Sequence, residues 1–304
     1  MKKLFVILLL FCALKMDAQQ APHYTQYMYN MQVINPAYVG ARADLTIGLL
    51  GRSQWVGVDG APKTMTFSLN GRAFDGVGLG FSVINDRIGL ATSTNVNIDV
   101  SYTIVLSQYD RLAFGLKGGM AFYSNNLSEG ITPDQEIYTS ISGVYPNIGM
   151  GAYYYNQRFY AGISIPRLLN TPKFRIDYDD NQVEIADDIN YFATAGYRFD
   201  ISEKLKFKPS TLIKYSPNLP ISIDLNANFL FNEFIEMGLS YRYNDSMSGM
   251  FAVIINKKFR IGYTYDHTLT DLGGTTLSSH EIMLLLDLDF DKKGRWLQHS
   301  SCYF

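Results

Sequence analysis

The residues with the most chemical potential are the four histidines, His23, His267, His280 and His299. Zinc needs three or four His, Cys or carboxylate ligands brought together, and structural sites announce themselves as closely spaced pairs. No two of these histidines have ligand spacing on a helix or stand beside two cysteines, so no metal or cofactor site is expected. The run SSHEIML at 278–284 sets a serine, a histidine and a glutamate side by side, the residue types of a nucleophile, its base and an orienting acid. In an extended strand, however, neighbouring side chains point to opposite faces. His280 then faces away from Ser279 and Glu281, and the three cannot relay a proton. The glycines of GVGLGF at 76–81 are not followed by a helix, which a phosphate-cradling loop requires. Gly76, Gly78 and Gly80 share one strand face, where they let a sheet curve or let lumen contents approach closely. The chain is not expected to be an enzyme.

The elements that would position such residues are strands. In NVNIDVSYTIVL at 95–106, Val96, Ile98, Val100, Tyr102, Ile104 and Leu106 alternate with Asn95, Asn97, Asp99, Ser101 and Thr103. A period of two over twelve residues means a strand with one oily and one wet face. Fourteen segments read this way: 44–55, 63–73, 76–85, 95–106, 111–123, 146–155, 158–165, 190–199, 204–215, 220–231, 234–243, 248–256, 258–267 and 280–290. Connections after even-numbered strands are tight, such as SQYD at 107–110, NQ at 156–157 and NKK at 256–258. Several after odd-numbered strands are long, at 124–145, 166–189 and 268–279, with mid-length ones at 56–62 and 86–94. An even strand count with short turns at one end and long loops at the other is the pattern of an outer-membrane barrel. A soluble sandwich has no reason to sort its loops by parity. The expected fold is therefore all-β: a transmembrane antiparallel up-and-down barrel of about fourteen strands over 42–290, its oily faces in contact with outer-membrane lipid.

The rest of the composition agrees. The sequence begins MKKLFVILLLFCALKMDAQQ, with Lys2 and Lys3 before the apolar run Leu4–Leu14. That run is too short to span a bilayer as a helix and reads as a secretory signal, 1–18, cleaved after Ala18. Past it only Cys302 remains, so no internal disulfide can form. Net charge is −2, which offers no footprint for nucleic acid. Tyr and Phe, 22 and 19 residues against 2 Trp, suit the ring belts of a membrane interface.

Parity assigns a lumen-facing polar set: Asn95, Asn97, Asp99, Lys117, Lys206, Lys208, Asp224, Asn226, Asn228, Glu236, Arg242, Arg260, Asp266 and Glu281. Both signs fall on neighbouring strands. Such charges would pair across strands and brace or fill the barrel, which disfavours a wide, single-sign pore. The stretch 19–41 breaks the alternation. Tyr24, Tyr27, Met28 and Met31 stand at helical spacing before Pro36, predicting a short helix on the periplasmic side that plugs the mouth, packs on the barrel base or meets a periplasmic partner. The tail 291–304 is expected to be periplasmic.

Particular phrases add to this. TQYMYNMQVINPAYVGA at 25–41, RSQWVGVDGAPKT at 52–64, GVGLGFSVINDRIG at 76–89, PNIGMGAYYYNQRFYAGISIP at 146–166, GLSYRYNDS at 238–246 and SSHEIMLLLDLDF at 278–290 occur in order. Across essentially all of the mature chain the sequence resembles the PorP/SprF family of Bacteroidetes outer-membrane proteins of the type IX secretion system. It departs in 124–145, 166–189 and beyond Phe290. The resemblance implies integration in the outer membrane and a part in exporting or anchoring a particular large surface protein, such as a gliding adhesin with a type IX C-terminal secretion domain. Periplasmic components of the machine are further implied partners. The recognition residues are then expected in the long loops: Asp134, Glu136 and Tyr138 in one, and Arg175, Asp177, Tyr178, Asp179, Asp180 and Glu184 in the other. The competing reading is a passive or substrate-selective porin.

Overall fold

The computed structural model describes residues 24–125, 141–169, 172–178, 181–186, 188–269, 278–288 and 290, with only the backbone at 141 and 172–186. The predicted signal and the predicted tail lie outside the described residues.

Alternation of bore-facing polar and outward apolar residues builds a closed antiparallel barrel. Its staves in chain order are β1 (Leu45–Ser53), β2 (Lys63–Phe74), β3 (Val77–Ile88), β4 (Ala91–Val105), β5 (Arg111–Asn125), β6 (Ile141–Tyr155) and β7 (Phe159–Ile165). After a hairpin of β8 (Pro172–Tyr178) and β9 (Asn181–Ala186) come β10 (Tyr191–Tyr197) and its two-residue continuation β11 (Phe199–Asp200). Then follow β12 (Leu205–Ser216), β13 (Leu219–Phe231), β14 (Ile235–Arg242), β15 (Ser246–Ile255), β16 (Phe259–Thr268) and β17 (Ser278–Leu288). Each stave pairs with the next, β10 bridges β7 and β12, and β1 pairs with β17 from Leu45↔Leu288 to Ser53↔His280. Closure leaves no stave edge unpaired around the ring, which is what a sheet in lipid requires. Fourteen staves result, one for each predicted segment.

The outside is the apolar face. Ile98 is 59% exposed, Leu116 64% and Ile163 66%. In water so continuous a patch would drive association; around a barrel it is the lipid-facing band. Among the described residues no helix is long and apolar enough to cross a membrane, so the strands do the crossing.

The turns explain the sorted connections. Asn232–Glu233 and Asn256–Lys257 hold positive φ at both central positions, the twist that joins two antiparallel strands in the fewest residues. With the outer-membrane pattern, this turn end is periplasmic and the opposite, loop end faces outward.

One connection differs from expectation. The loop expected at 86–94 is a turn at Gly89 and Leu90, because β3 and β4 run on above the band. Up there both faces are wet. Thr64–Asp86 and Asn85–Thr94 bond across strands at 2.6 and 2.8 Å, and no oily face remains to reveal the strand. β6 likewise starts at Ile141 and not at 146.

Candidate functional site

A barrel of eight strands has a bore that side chains can fill, and one of sixteen or more leaves a channel. Fourteen staves lie nearer the second case, so something besides wall side chains must occupy this bore. That occupant is the segment Tyr24–Ala43. Apart from Val33 and Gly40 every one of its residues is buried. It runs up inside the barrel from the turn end of β1, so that Thr25 meets Arg52, Asp266 and Glu281 near the loop ends of β1, β16 and β17.

The segment was expected at the periplasmic mouth as a short helix; it lies within the bore, and its regular structure is brief. A 3₁₀ turn at Tyr27–Tyr29, one α-helical turn α1 (Met31–Ile34) and a second 3₁₀ turn at Pro36–Tyr38 make it up. Pro36 cannot continue α1. Asn35 makes the join: its Oδ1 accepts from the Ala37 N–H at 2.9 Å while its Nδ2 donates to the Ala152 carbonyl at 3.0 Å. Backbone groups left over by such short turns need partners, and the wall supplies them. Ser164 donates to the Ile34 carbonyl at 2.9 Å, Ser101 to that of Val39 at 2.6 Å, and Lys117 Nζ to that of Gln32 at 3.3 Å.

Three ionic groups pin the plug. At its upper end Glu281 accepts from the Thr25 and Gln26 N–H at 3.0 and 2.8 Å. Arg52 lies 3.1 Å from Glu281 and 2.5 Å from Asp266. In the middle, Lys117 and Asp99 meet at 2.9 Å, and Gln32 Nε2 donates to Asp99 at 3.0 Å. Below, the Tyr29 hydroxyl donates to Glu236. Glu236 stands 2.8 Å from Lys208 and 3.8 Å from Arg260, and the Arg260 guanidinium sits 4.4 Å from the Tyr29 ring centre, a cation–π arrangement.

The parity-assigned residues are placed as follows. Asn226 donates to the Tyr27 hydroxyl and Asn228 to Glu236. Asp224 is bonded by Arg242 at 2.7 and 3.1 Å. Asn97 accepts from Asn147, and Asn95 donates to Ser93. Asn95, Asn97, Asp99, Lys117, Lys208, Asp224, Asn226, Asn228, Glu236, Arg242, Arg260, Asp266 and Glu281 are all buried. Lys206 is different: it stands at the turn-end rim, 2.7 Å from Glu233, and does not reach the plug. Sequence reasoning missed Arg42, bonded to Asp287 at 2.6–2.9 Å, and the plug residues Tyr29, Gln32 and Asn35. Arg52 was legible in principle, since Thr46, Gly48, Leu50 and Arg52 share the inward parity of β1. The plug residues carry no period from which to read a face.

Of the loop residues, Asp134, Glu136, Tyr138, Asp179 and Asp180 lie outside the described residues. Arg175, Asp177 and Tyr178 fall on β8 and Glu184 on β9, in a hairpin that sets Arg175 opposite Glu184. In the SSHEIML run, Ser279 and Glu281 are buried in the bore, while His280 is outside, 2.6 Å from the Tyr263 hydroxyl. Among the described residues no three His, Cys, Asp or Glu are grouped as metal ligands.

Glycines let wall and plug touch. A Cβ at Gly115 would run into the backbone of Pro36 and Ala37, and one at Gly78 into the Val39 carbonyl. Gly118 has nothing within 4 Å. Gly115→Ala is expected to lower stability by about 1–3 kcal/mol and Gly118→Ala to leave it within about 0.5 kcal/mol, read from denaturant midpoints of the refolded barrel.

At the rim, hydrogen bonds from Lys206 and Lys257 hold the Glu233 carboxyl down at about 2, below its ordinary 4.5. A depressed folded pKa contributes stability that is complete above about pH 4.5 and is lost as pH falls toward about 2. The unfolding midpoint is expected to fall across that window, and less steeply in Glu233→Gln.

The family model described as "Type IX secretion system membrane protein PorP/SprF" matches residues 16–286. Among solved structures, the Acinetobacter baumannii outer-membrane protein Omp33 is similar at 8% identity, with 82% of this chain and 100% of that one covered and a TM-score of 0.48. The Ralstonia pickettii toluene transporter TbuX gives 10% identity, 84% and 92% coverage and a TM-score of 0.46. The translocator domain of the Neisseria meningitidis autotransporter NalP gives 9%, 87% and 94%, and 0.44. No curated protein matches the chain.

Proposed function

The chain belongs to the PorP/SprF family of type IX secretion membrane proteins, and from that premise we propose that this outer-membrane barrel binds one large secreted surface protein at its loop end and helps to export or anchor it. The cargo class is a protein with a type IX C-terminal secretion domain, gliding adhesins among them. The observation that carries this reading is the filled bore. Staves on every side hold the plug: β2 through Thr66, β4 and β5 through Asp99 and Lys117, β12 through Ser210 and β14 through Glu236. A porin needs an open, hydrated path, and this interior is spent on fixing its own chain. What is left for recognition is the loop end, where β8 and β9 rise and where the acidic stretches around 134–136 and 177–184 fall. The leader 1–18 is removed at export in this reading, and the tail 291–304 starts from the periplasmic end of β17, where machine components could reach it.

The test is recovery of the tagged full chain from gently solubilised outer membranes, followed by mass spectrometry of what stays bound. A large surface protein with a type IX C-terminal domain, lost when 166–189 is exchanged for a paralogue's loop, is the expected result. Recovery of periplasmic machine components alone would replace cargo binding with a core role, and recovery of the barrel alone would remove it.

A further inference from the structure

Around the ring every stave is paired, but β6 outruns β7. Its ladder to β7 stops at Met150↔Ile165, while its ladder to β5 continues up to Asn125↔Ile141. Two residues end the β7 ladder. Pro166 has no N–H to give, and Gly149 leaves room for it on the inner side of β6, where a Cβ would run into the Pro166 carbonyl. Asn147, buried in the bore, donates to that carbonyl at 3.4 Å, and the last main-chain bond to β6 is from the Leu168 N–H to the Ile148 carbonyl at 2.8 Å. Above it, among the described residues, no strand pairs with this side of β6. β8 comes near, but its ladder is with β9.

Main-chain groups of successive residues in a strand point to opposite neighbours. Ile148 points to the β7 side, so Pro146, Val144 and Ser142 do too. This accounts for Pro146, since a proline fits a sheet where its nitrogen faces away from a ladder. The edge thus offers the N–H and C=O of Ser142 and Val144 and the C=O of Pro146. Val144 is 56% exposed. The register carries Ser142 and Val144 across β5 to Thr92 and Thr94, which rise above the oily band, so the edge meets water and not hydrocarbon. Beneath it, inside the bore, lies a cavity of about 100 Å³ lined by Val33 and Ile34 of the plug and by Asn147 and Pro166. Asn147 Oδ1 has no partner among the described residues, although Asn147 is only 6% exposed.

We propose that the edge Ser142–Pro146 is a strand-addition site, at which an extended segment of the partner protein pairs antiparallel to β6 along the line that β7 leaves vacant. The proposal rests on the reading of the barrel as a binder of secreted protein and adds what the partner must present. Main-chain bonds supply affinity in this mode and alternate side chains supply specificity. A residue opposite Tyr145 or Asn147 turns inward over the cavity, whose floor of Val33 and Ile34 suits an aliphatic side chain. A second copy of this chain fits the edge less well. In a β6–β6 ladder Pro146 would stand on both strands and leave two gaps, whereas a foreign strand meets one; prolines on edges guard against such self-pairing.

The probe is acetyl-Thr-Val-Thr-Leu-Thr-Val-Thr-amide, titrated calorimetrically into the detergent-solubilised full chain beside two N-methylated forms, one methylated at the valines and the leucine, the other at the two inner threonines. A strand held by one edge turns only every other N–H toward β6. One methylated form is therefore expected to bind about tenfold or more weakly, and the other to match the unmethylated peptide. Val144→Pro removes an edge N–H that the β5 ladder does not use and is expected to weaken the peptide about tenfold; Val144→Thr keeps the main chain and is expected to leave binding unchanged. The methylated pair decides the matter even if Val144→Pro does not fold. No binding of the unmethylated peptide, equal binding of all three, equal loss in both methylated forms, or unchanged binding to folded Val144→Pro overturns the proposal. So does a detergent-stable dimer that Val144→Pro dissociates and the peptide does not, which would assign the edge to a second copy. The parent reading fails separately: if outer membranes yield no bound surface protein, it falls whatever the peptides do. If the surface protein is retained equally by wild type and Val144→Pro, the edge falls and the parent reading stands.

Discussion

Deleting Tyr24–Tyr38 is expected to convert a barrel that carries no sustained ion current into one that does. The staves do not need the plug for their own hydrogen bonds, because every stave is paired to its neighbours and β1 closes on β17 over nine residue pairs. The ring can therefore survive the loss, and a ring of this strand number without an occupant has a water-filled bore. Its newly wetted lining would hold Arg52, Lys117, Lys208, Lys214, Arg242 and Arg260 against Asp99, Asp224, Glu236, Asp266 and Glu281. With the two signs nearly balanced, the resulting pore is expected to select weakly between cations and anions. Planar-bilayer recording of wild type and deletion, each refolded from the same detergent, decides it. Steady current through the wild type would mean that the bore is not closed and would return the porin reading to the front.

The barrel was legible in the sequence because lipid imposes a strict rule. Every second residue of β4, β5, β13 and β16 must be oily where the wall meets hydrocarbon, and the period survives in the sequence as far as the hydrocarbon extends. Beyond it the rule lapses, which is why Asp86–Arg87 and Thr92–Thr94 read as loop while they extend β3 and β4. Parity also identified most polar groups of the bore, since a residue such as Glu236 or Arg260 has only two faces to choose from. Their partners were not legible. Lys208 lies opposite Asn228 in the register but reaches past it to Glu236, because Glu236 is where the Tyr29 hydroxyl and Arg260 converge. Asp99 likewise meets Lys117 across a strand pair, yet its second partner is Gln32, far away in the chain. The plug escaped for the same reason. Tyr24, Tyr27, Met28 and Met31 keep helical spacing, but burial on all sides removes the contrast between a wet and a dry face from which a helix and its location are read.

Glu281→Ala is expected to cost about 3–5 kcal/mol of unfolding free energy, the range for removing one partner of a buried ionic pair, and to loosen the upper end of the plug. Three deficits arise together. Arg52 keeps Asp266 but loses a second carboxylate at 3.1 Å, and the N–H groups of Thr25 and Gln26 lose the acceptor they have among the described residues. Water cannot easily replace that acceptor, since Thr25 and Gln26 are almost wholly buried. The penalty is specific to orphaned groups and not to lost charge as such. An isosteric Glu281→Gln keeps an acceptor oxygen for the backbone and is expected to recover part of the loss. The contrast with Asp287, at the opposite end, separates plug tethering from wall stability. Asp287→Asn weakens the Arg42 bonds at the foot of the plug, where the chain is in any case covalently continuous with β1 and cannot drift. Denaturant midpoints should therefore fall in both variants, while intermittent current bursts in planar bilayers should appear in Glu281→Ala and not in Asp287→Asn. Bursts in both, or in neither, would mean that the Glu281 carboxylate is not what keeps the upper end of the plug in place.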